Sequence, residues 1–155
     1  MKKKLDADIL IKNKKASYEY EFIESFEAGI QLKGTEIKSI REGKASIKEG
    51  YCAFKKGELF IINMDISPYE DASFTNHEPK RVRKLLLHRN ELTKLKRSKK
   101  DVGLTIIPTK LYINQKGFAK LNIALAKGKK LYDKRQSLKS KDDQRQMDRA
   151  QKSYK

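Results

Sequence analysis

Among its 155 residues the chain has one cysteine, Cys52. No internal disulfide is therefore possible, and no metal site built on several thiolates. Nowhere do enough apolar residues follow one another to span a bilayer. The N-terminus, Met1-Lys2-Lys3-Lys4, is basic, but Asp6 and Asp8 break the stretch that follows, which lacks the apolar core of a signal peptide. These absences point to a soluble protein working in the cytoplasm, with no membrane partner. Catalytic signatures are missing too: no nucleophile elbow, no glycine-rich phosphate loop and no pair of histidines at zinc-ligand spacing. The two histidines, His77 and His88, have no His, Cys, Asp or Glu cluster around them at metal-ligand spacing. The expectation is a surface histidine in a loop and another beside a basic patch. No catalytic residue, metal or cofactor is expected.

Acidic residues are scarce where basic ones crowd. The formal net charge is +17, and a surplus that large repels itself unless a polyanion offsets it. Residues 1–79 nearly balance, with 13 Lys/Arg against 14 Asp/Glu. Residues 80–100 carry ten cations against Glu91 alone, and residues 127–155 carry eleven against four acids. A solubilising surface mixes signs; two blocks of one sign read as two phosphate-facing surfaces.

Short apolar runs dominate the first 126 residues. Residues 18–26 predict a strand, interrupted by Ala28-Gly29. Residues 35–41 predict a short helix capped by Thr35 and ended by Gly43. Residues 51–54 and 59–64 flank a loop containing Gly57 and predict a hairpin. Residues 67–80 predict an exposed loop. A helix is expected over 90–99 with Asn90 as its cap, Leu92 and Leu95 forming its apolar stripe. Two apolar runs surround Pro108, which marks an edge or a bulge. Asn114-Gln115-Lys116-Gly117 is a turn. Residues 118–126 then alternate, with Ala119, Leu121, Ile123 and Leu125 on one side. Short antiparallel strands with one or two helices predict a mainly β fold, a small β-barrel, over residues 1–126. Residues 127–155 are too polar to bury a core and predict a basic tail, disordered alone.

Two runs carry the functional signal. In Pro79-Lys80-Arg81-Val82-Arg83-Lys84-Leu85-Leu86-Leu87-His88-Arg89, basic side chains read as a ridge on RNA phosphates. The pattern alone leaves Leu86 and His88 evenly divided between structural positions and stacking on unpaired bases. In Ala126-Lys127-Gly128-Lys129-Lys130-Leu131-Tyr132-Asp133-Lys134-Arg135, cations surround an aromatic suited to base stacking. Further along, Lys141, Arg145 and Arg149 are spaced by four and would share one face of a helix.

Five stretches together resemble the small protein B family, the partner of transfer-messenger RNA in bacterial trans-translation. They are Asn13-Lys14-Lys15-Ala16, Phe26-Glu27-Ala28-Gly29-Ile30, Gly34-Thr35-Glu36-Ile37-Lys38-Ser39-Ile40-Arg41-Glu42-Gly43-Lys44, Arg81-Val82-Arg83-Lys84-Leu85-Leu86-Leu87 and Gly128-Lys129-Lys130-Leu131-Tyr132-Asp133-Lys134-Arg135. The resemblance implies an OB-like antiparallel β-barrel with peripheral short helices and a flexible C-terminal tail. It implies that the barrel grips the transfer-RNA-like domain near its elbow, with Glu27, Leu86 and His88 in the contact. The expected RNA-contacting residues are Tyr20, Glu27, Arg81, Arg83, Lys84, Leu86, His88, Lys120, Lys127, Gly128, Lys129 and Lys130.

It further implies a tail that lies in the empty messenger path of a stalled ribosome, against small-subunit ribosomal RNA at the decoding centre. Tyr132, Asp133, Lys134, Arg135, Lys139, Lys141, Arg145 and Arg149 are the tail residues expected there, helical when bound. Elongation factor Tu is an expected partner through the aminoacylated RNA. The chain departs from the family pattern in having His88 where some relatives have Asn, Tyr18 and Tyr132 where some have His, and Lys141 where Arg is expected. Lysine keeps the charge but loses the bidentate fork. Two rival readings remain, a ribosomal subunit protein and a small ribonuclease using His77 or His88. Presence in every ribosome would favour the first. RNA cleavage abolished by a histidine substitution would favour the second.

Overall fold

The computed structural model describes residues 9–72, 75–101 and 103–129. Strand β1 (Leu10–Lys12) leads into helix α1 (Lys14–Glu19), so Tyr18 and Glu19 end a helix instead of opening the expected strand. The cause is Asn13. Its side-chain oxygen accepts from the Ala16 N–H at 3.2 Å, capping α1. Its amide donates to the carbonyls of Pro108 at 2.9 Å and Ile47 at 3.3 Å, tying the helix start to distant chain. One buried side chain thus explains why Asn13 and the buried Ala16 stand three apart.

Strand β2 (Tyr20–Ile30) runs without a break through Ala28-Gly29, where an interruption was expected. Gly29 keeps its register, opposite Lys120 on one side and Leu86 on the other. The imperfect alternation has a cause further back. A bulge between Phe22 and Glu24 shifts the pairing and leaves Ile23 exposed. Helix α2 (Gly34–Arg41) buries Ile40, and Gly43, at φ +74, ends it by donating to the Ile40 carbonyl at 2.8 Å. Its cap is Lys33 and not Thr35, because Glu36 reaches back to accept from the Lys33 N–H at 2.7 Å.

Strand β3 (Ala45–Ser46) pairs with β6 (Asp65–Ile66) in a small separate sheet. Between them β4 (Tyr51–Lys55) and β5 (Glu58–Ile62) form the expected hairpin. Lys56 and Gly57 both have positive φ, which matches the right-handed twist of the two strands. Strand β7 (Arg83–Leu86) precedes helix α3 (Arg89–Ser98). His88, and not Asn90, caps α3, with Glu91 accepting from the His88 N–H at 3.2 Å. Strand β8 (Leu104–Ile113) passes through Pro108 as one strand, with the register shift the proline demands falling between Pro108 and Lys110. Strand β9 (Ala119–Gly128) outruns the boundary expected at Ala126, and the Lys129 N–H still donates to the Glu19 carbonyl at 2.8 Å.

The large sheet has the order β1-β8-β4-β5-β7-β2-β9, and β9 also pairs with β8. The pairings therefore return to β8 after passing through β4, β5, β7, β2 and β9. Ala28, Ile61, Leu85, Ile106, Leu111, Leu121 and Ile123 fill the interior, and α3 adds Leu95 from outside the sheet. Strands β2, β5 and β7 bury alternate residues, whereas Ile106–Pro108 of β8 and Ile123–Ala126 of β9 are buried in unbroken runs, with Ile107 and Ala126 packed on Ala16 of α1.

Two polar groups are drawn into this interior against expectation. His77 is buried and is not the surface histidine the loop composition suggests. Its Nε2 donates to the Ile66 carbonyl at 2.8 Å, which leaves Nδ1 to accept from the Thr35 hydroxyl at 2.9 Å. It thereby pins the 67–80 loop to α2. Arg83 is fully buried and is not part of a phosphate ridge. Leu85 must face the core, so Arg83, two residues earlier on β7, faces it too. Its Nε meets Glu36, and its other nitrogens reach the carbonyls of Met64 at 2.8 Å and Pro79 at 3.1 Å. Arg81 closes the cluster with a 2.7 Å bond to Glu36.

Candidate nucleic-acid interface

Burial would raise the Glu36 carboxyl, but the hydrogen bonds from Arg81, the Lys33 N–H and Arg83 outweigh it and hold the group below the ordinary carboxylate value. One carboxylate thus serves two guanidinium groups, Arg81 and Arg83. It removes Arg83 from any outer surface and occupies most of the Arg81 fork, which also donates to the Gln31 carbonyl at 3.3 Å.

The outer face of the same strands is different. A shallow depression of about 300 Å³ is lined by Glu27, Gly29, Leu86, Leu87, His88, Glu91 and Lys120. Four expected site residues, Glu27, Leu86, His88 and Lys120, meet there from β2, the end of β7, the cap of α3 and β9. Strand register brings them together. Leu86 stands opposite Gly29, and Gly29 stands opposite Lys120, in one row across three strands. Glu27 lies two residues before Gly29 and so shares its face. Gly29 matters by what it lacks: a Cβ there would meet the Leu86 side chain at 3.4 Å. Leu86 is 46 % exposed, a large apolar side chain beside charged groups, which suits stacking against a base more than packing. The alternation that buries Arg83 and Leu85 turns Leu86 outward, and Lys84 with it; Lys84 sits 3.6 Å from Glu58.

Glu27 has a partner that sequence reasoning did not name. The Tyr112 hydroxyl donates to its carboxylate from β8. Tyr112 lies in the run Leu111-Tyr112-Ile113, where two buried neighbours hide the outward-facing ring between them. Desolvation first, then the bond to Glu27, push the Tyr112 hydroxyl up to about 12. The sign follows directly. The neutral phenol is the favoured form, so its stabilising bond is fully present below the ordinary value of 10 and is lost as pH rises through about 12. In a tyrosinate absorbance titration, Tyr112→Phe should remove a late-ionising component.

The remaining described candidates lie near the opposite end of β2. Tyr20 pairs with Gly128 and packs on Ala16, Ile107 and Ala126. Lys127 stands opposite Glu21, and the Lys129 ammonium donates to the Ser17 carbonyl at 2.9 Å. A second hollow of about 230 Å³ lies beside Tyr20, with Lys15, Lys48, Glu49 and Tyr51 in its walls. The structure therefore separates the expected RNA residues: Glu27, Leu86, His88 and Lys120 line the depression, Arg81 and Arg83 join Glu36, Lys84 sits beside Glu58, and Tyr20, Lys127, Gly128 and Lys129 lie at the far end of β2. Lys130 and the tail residues Tyr132, Asp133, Lys134, Arg135, Lys139, Lys141, Arg145 and Arg149 lie outside the described residues. Among the described residues, no group of three or more His, Cys, Asp or Glu is placed to hold a metal ion. No described helix is long and apolar enough to cross a membrane.

Fold and site define a small, mainly β binding protein whose exposed strand face gathers a cation, a carboxylate, an imidazole and a bare leucine. The comparisons with known proteins narrow this class. The family model described as SmpB protein matches residues 10–153, and the chain belongs to that family. An SsrA-binding protein of Cytophaga hutchinsonii is 60 % identical over 147 residues, covering 95 % of this chain and 96 % of the relative. One from Christiangramia forsetii is 56 % identical over 147 residues, covering 95 % and 94 %. Among solved structures, a chain from "tmRNA-SmpB: a journey to the center of the bacterial ribosome" superposes with a TM-score of 0.67 at 46 % identity, over 79 % of this chain and 86 % of that one.

Proposed function

We propose that the protein is an RNA-binding adaptor and not an enzyme: it binds the transfer-RNA-like domain of transfer-messenger RNA and delivers that RNA to stalled ribosomes for nascent-peptide tagging. The convergence of Glu27, Leu86, His88 and Lys120 on one depression carries this reading. Leucine and imidazole offer faces to an unpaired base, lysine a charge to phosphate, and glutamate an acceptor to a base N–H. The ring of strand pairings supports an OB-like barrel as the scaffold, and its work belongs to the cytoplasm. Elongation factor Tu joins through the aminoacylated RNA. The tail, from Tyr132 through Arg149, enters the empty messenger channel, becomes helical there, and reports to small-subunit ribosomal RNA at the decoding centre that no message is present. Both ring nitrogens of His77 are engaged inside the protein, which leaves the ribonuclease reading only His88.

The test separates the two parts. Strand β9 runs to Gly128 and Lys129 is still hydrogen-bonded, so the cut belongs after Lys129 and not after Ala126. The shortened protein is expected to keep most of its affinity for the transfer-RNA-like domain and to lose tagging on stalled ribosomes. Loss of RNA affinity on truncation would overturn this division of labour.

Glu27 is expected to govern discrimination more than attraction. A carboxylate beside RNA phosphates is unfavourable unless it accepts hydrogen bonds from a base edge or from a neighbouring cation that it orients. Glu27→Gln should weaken binding to the transfer-RNA-like domain and leave binding to bulk RNA unchanged or slightly stronger, as read by filter binding on both. Equal losses would assign Glu27 a structural role.

A further inference from the structure

Tyr112 ties β8 to the depression on β2 although β9 lies between them. Its register partner is Lys120 of β9, whose own partner on β2 is Gly29. Glu27, two residues before Gly29, faces Asn122 of β9. A phenol rooted opposite Lys120 and bonded to Glu27 must therefore cross β9 diagonally. It takes Oε2 of the carboxylate, and among the described residues Oε1 has no hydrogen-bond partner. Lys120 and Glu27 line the same depression, yet among the described residues they form no ion pair.

The physical consequence is a separation of charges. A glutamate side chain has three rotatable bonds, and one placed near a lysine turns toward it when nothing else holds it. Such a pair would cancel the cation needed for phosphate and the acceptor needed for a base. A neutral donor on the far side prevents this without adding charge. Resting on the reading that this depression contacts RNA, we propose that Tyr112 is a positioning residue of the site: it fixes the Glu27 carboxylate so that Oε1 accepts from the N–H edge of an unpaired base while Lys120 stays available to the adjoining phosphate.

The experiment is a double-substitution cycle on the full-length protein with Tyr112→Phe and Glu27→Ala. Affinity is measured for the transfer-RNA-like domain and for an unstructured RNA of equal length. Each single substitution is expected to reduce the ratio of the two affinities by about tenfold, the worth of one hydrogen bond to a charged group. The double variant should lose no more than either single one, because both remove the same contact. Phenylalanine keeps the packing of the ring and gives up one hydrogen bond, so the melting midpoint should fall modestly and the protein stay folded at the assay temperature. A further drop in the double variant would mean that Tyr112 does not act through Glu27 and would overturn the proposal. So would an equal loss for both RNAs, since that marks a structural role. If Tyr112→Phe discriminates like the unchanged protein while Glu27→Ala does not, the proposal fails and the RNA site stands. If Glu27→Ala also discriminates normally, the reading of the depression itself fails.

Discussion

Glu36→Ala is expected to cost the fold about 3–5 kcal/mol, the usual result of removing one partner from a buried ion pair. Arg83 has no exposed surface and keeps only carbonyl partners once the carboxylate is gone. The Lys33 N–H at the start of α2 loses its acceptor at the same time. The loss should appear as a lower denaturant midpoint with an unchanged slope. Glu36→Ala combined with Arg83→Met should recover part of it, because the uncompensated charge is then removed as well. The pH dependence carries the same signature. The folded Glu36 carboxyl is held below its ordinary value of 4.5. Its contribution is therefore present above that value and is lost as pH falls through the lower folded value. The alanine variant should accordingly show less additional loss on acidification. A cost below about 1 kcal/mol would show that the cluster is no stronger than a surface pair.

Binding to the transfer-RNA-like domain should fall by roughly 10³–10⁵ between 50 and 200 mM salt if about 6–10 phosphates are contacted, somewhat less steeply on RNA than on duplex DNA. The cations available for this are not the ones the sequence block suggests at first count. Arg83 is enclosed and most of the Arg81 fork is occupied, whereas Arg89, Lys96, Arg97 and Lys100 are exposed on or just after α3. Lys120→Ala should lower the salt slope by about one. Arg83→Met should leave the slope unchanged even where it lowers stability. A response flatter than about tenfold across that range would remove the electrostatic case for the basic block.

Much of the architecture was legible in sequence. Strand β9 alternates from Ala119 to Ile123, where it packs on the main core, and is buried on both faces from Ile123 to Ala126, where Ala126 meets Ala16 and Ile107. The 51–62 hairpin declared itself through Gly57, and Pro108 marked its bulge. The errors share a cause. Thr35 and Asn90 are good caps by residue type, yet the chain uses Lys33 and His88, because Glu36 and Glu91 reach back to the backbone there. Residues 18–19 look β-prone, but Asn13, held by Pro108 at a separation of 95 residues, starts a helix first. Of the site, Glu27, Leu86 and His88 were named from the family resemblance, and Lys120 stood among the expected RNA contacts. Tyr112 was hidden by its apolar neighbours.

By itself the sequence determined the two basic blocks, the absence of catalytic and metal signatures in the pattern, and the family motifs. Each of these depends only on residue type and spacing. Tertiary structure decided which way Arg83, Leu86, His77 and Tyr112 face. In Arg83-Lys84-Leu85-Leu86 either phase of the alternation is chemically plausible. Glu36, 47 residues away, stabilises a guanidinium in the core, and with Leu85 it fixes the phase that turns Lys84 and Leu86 to the outer face.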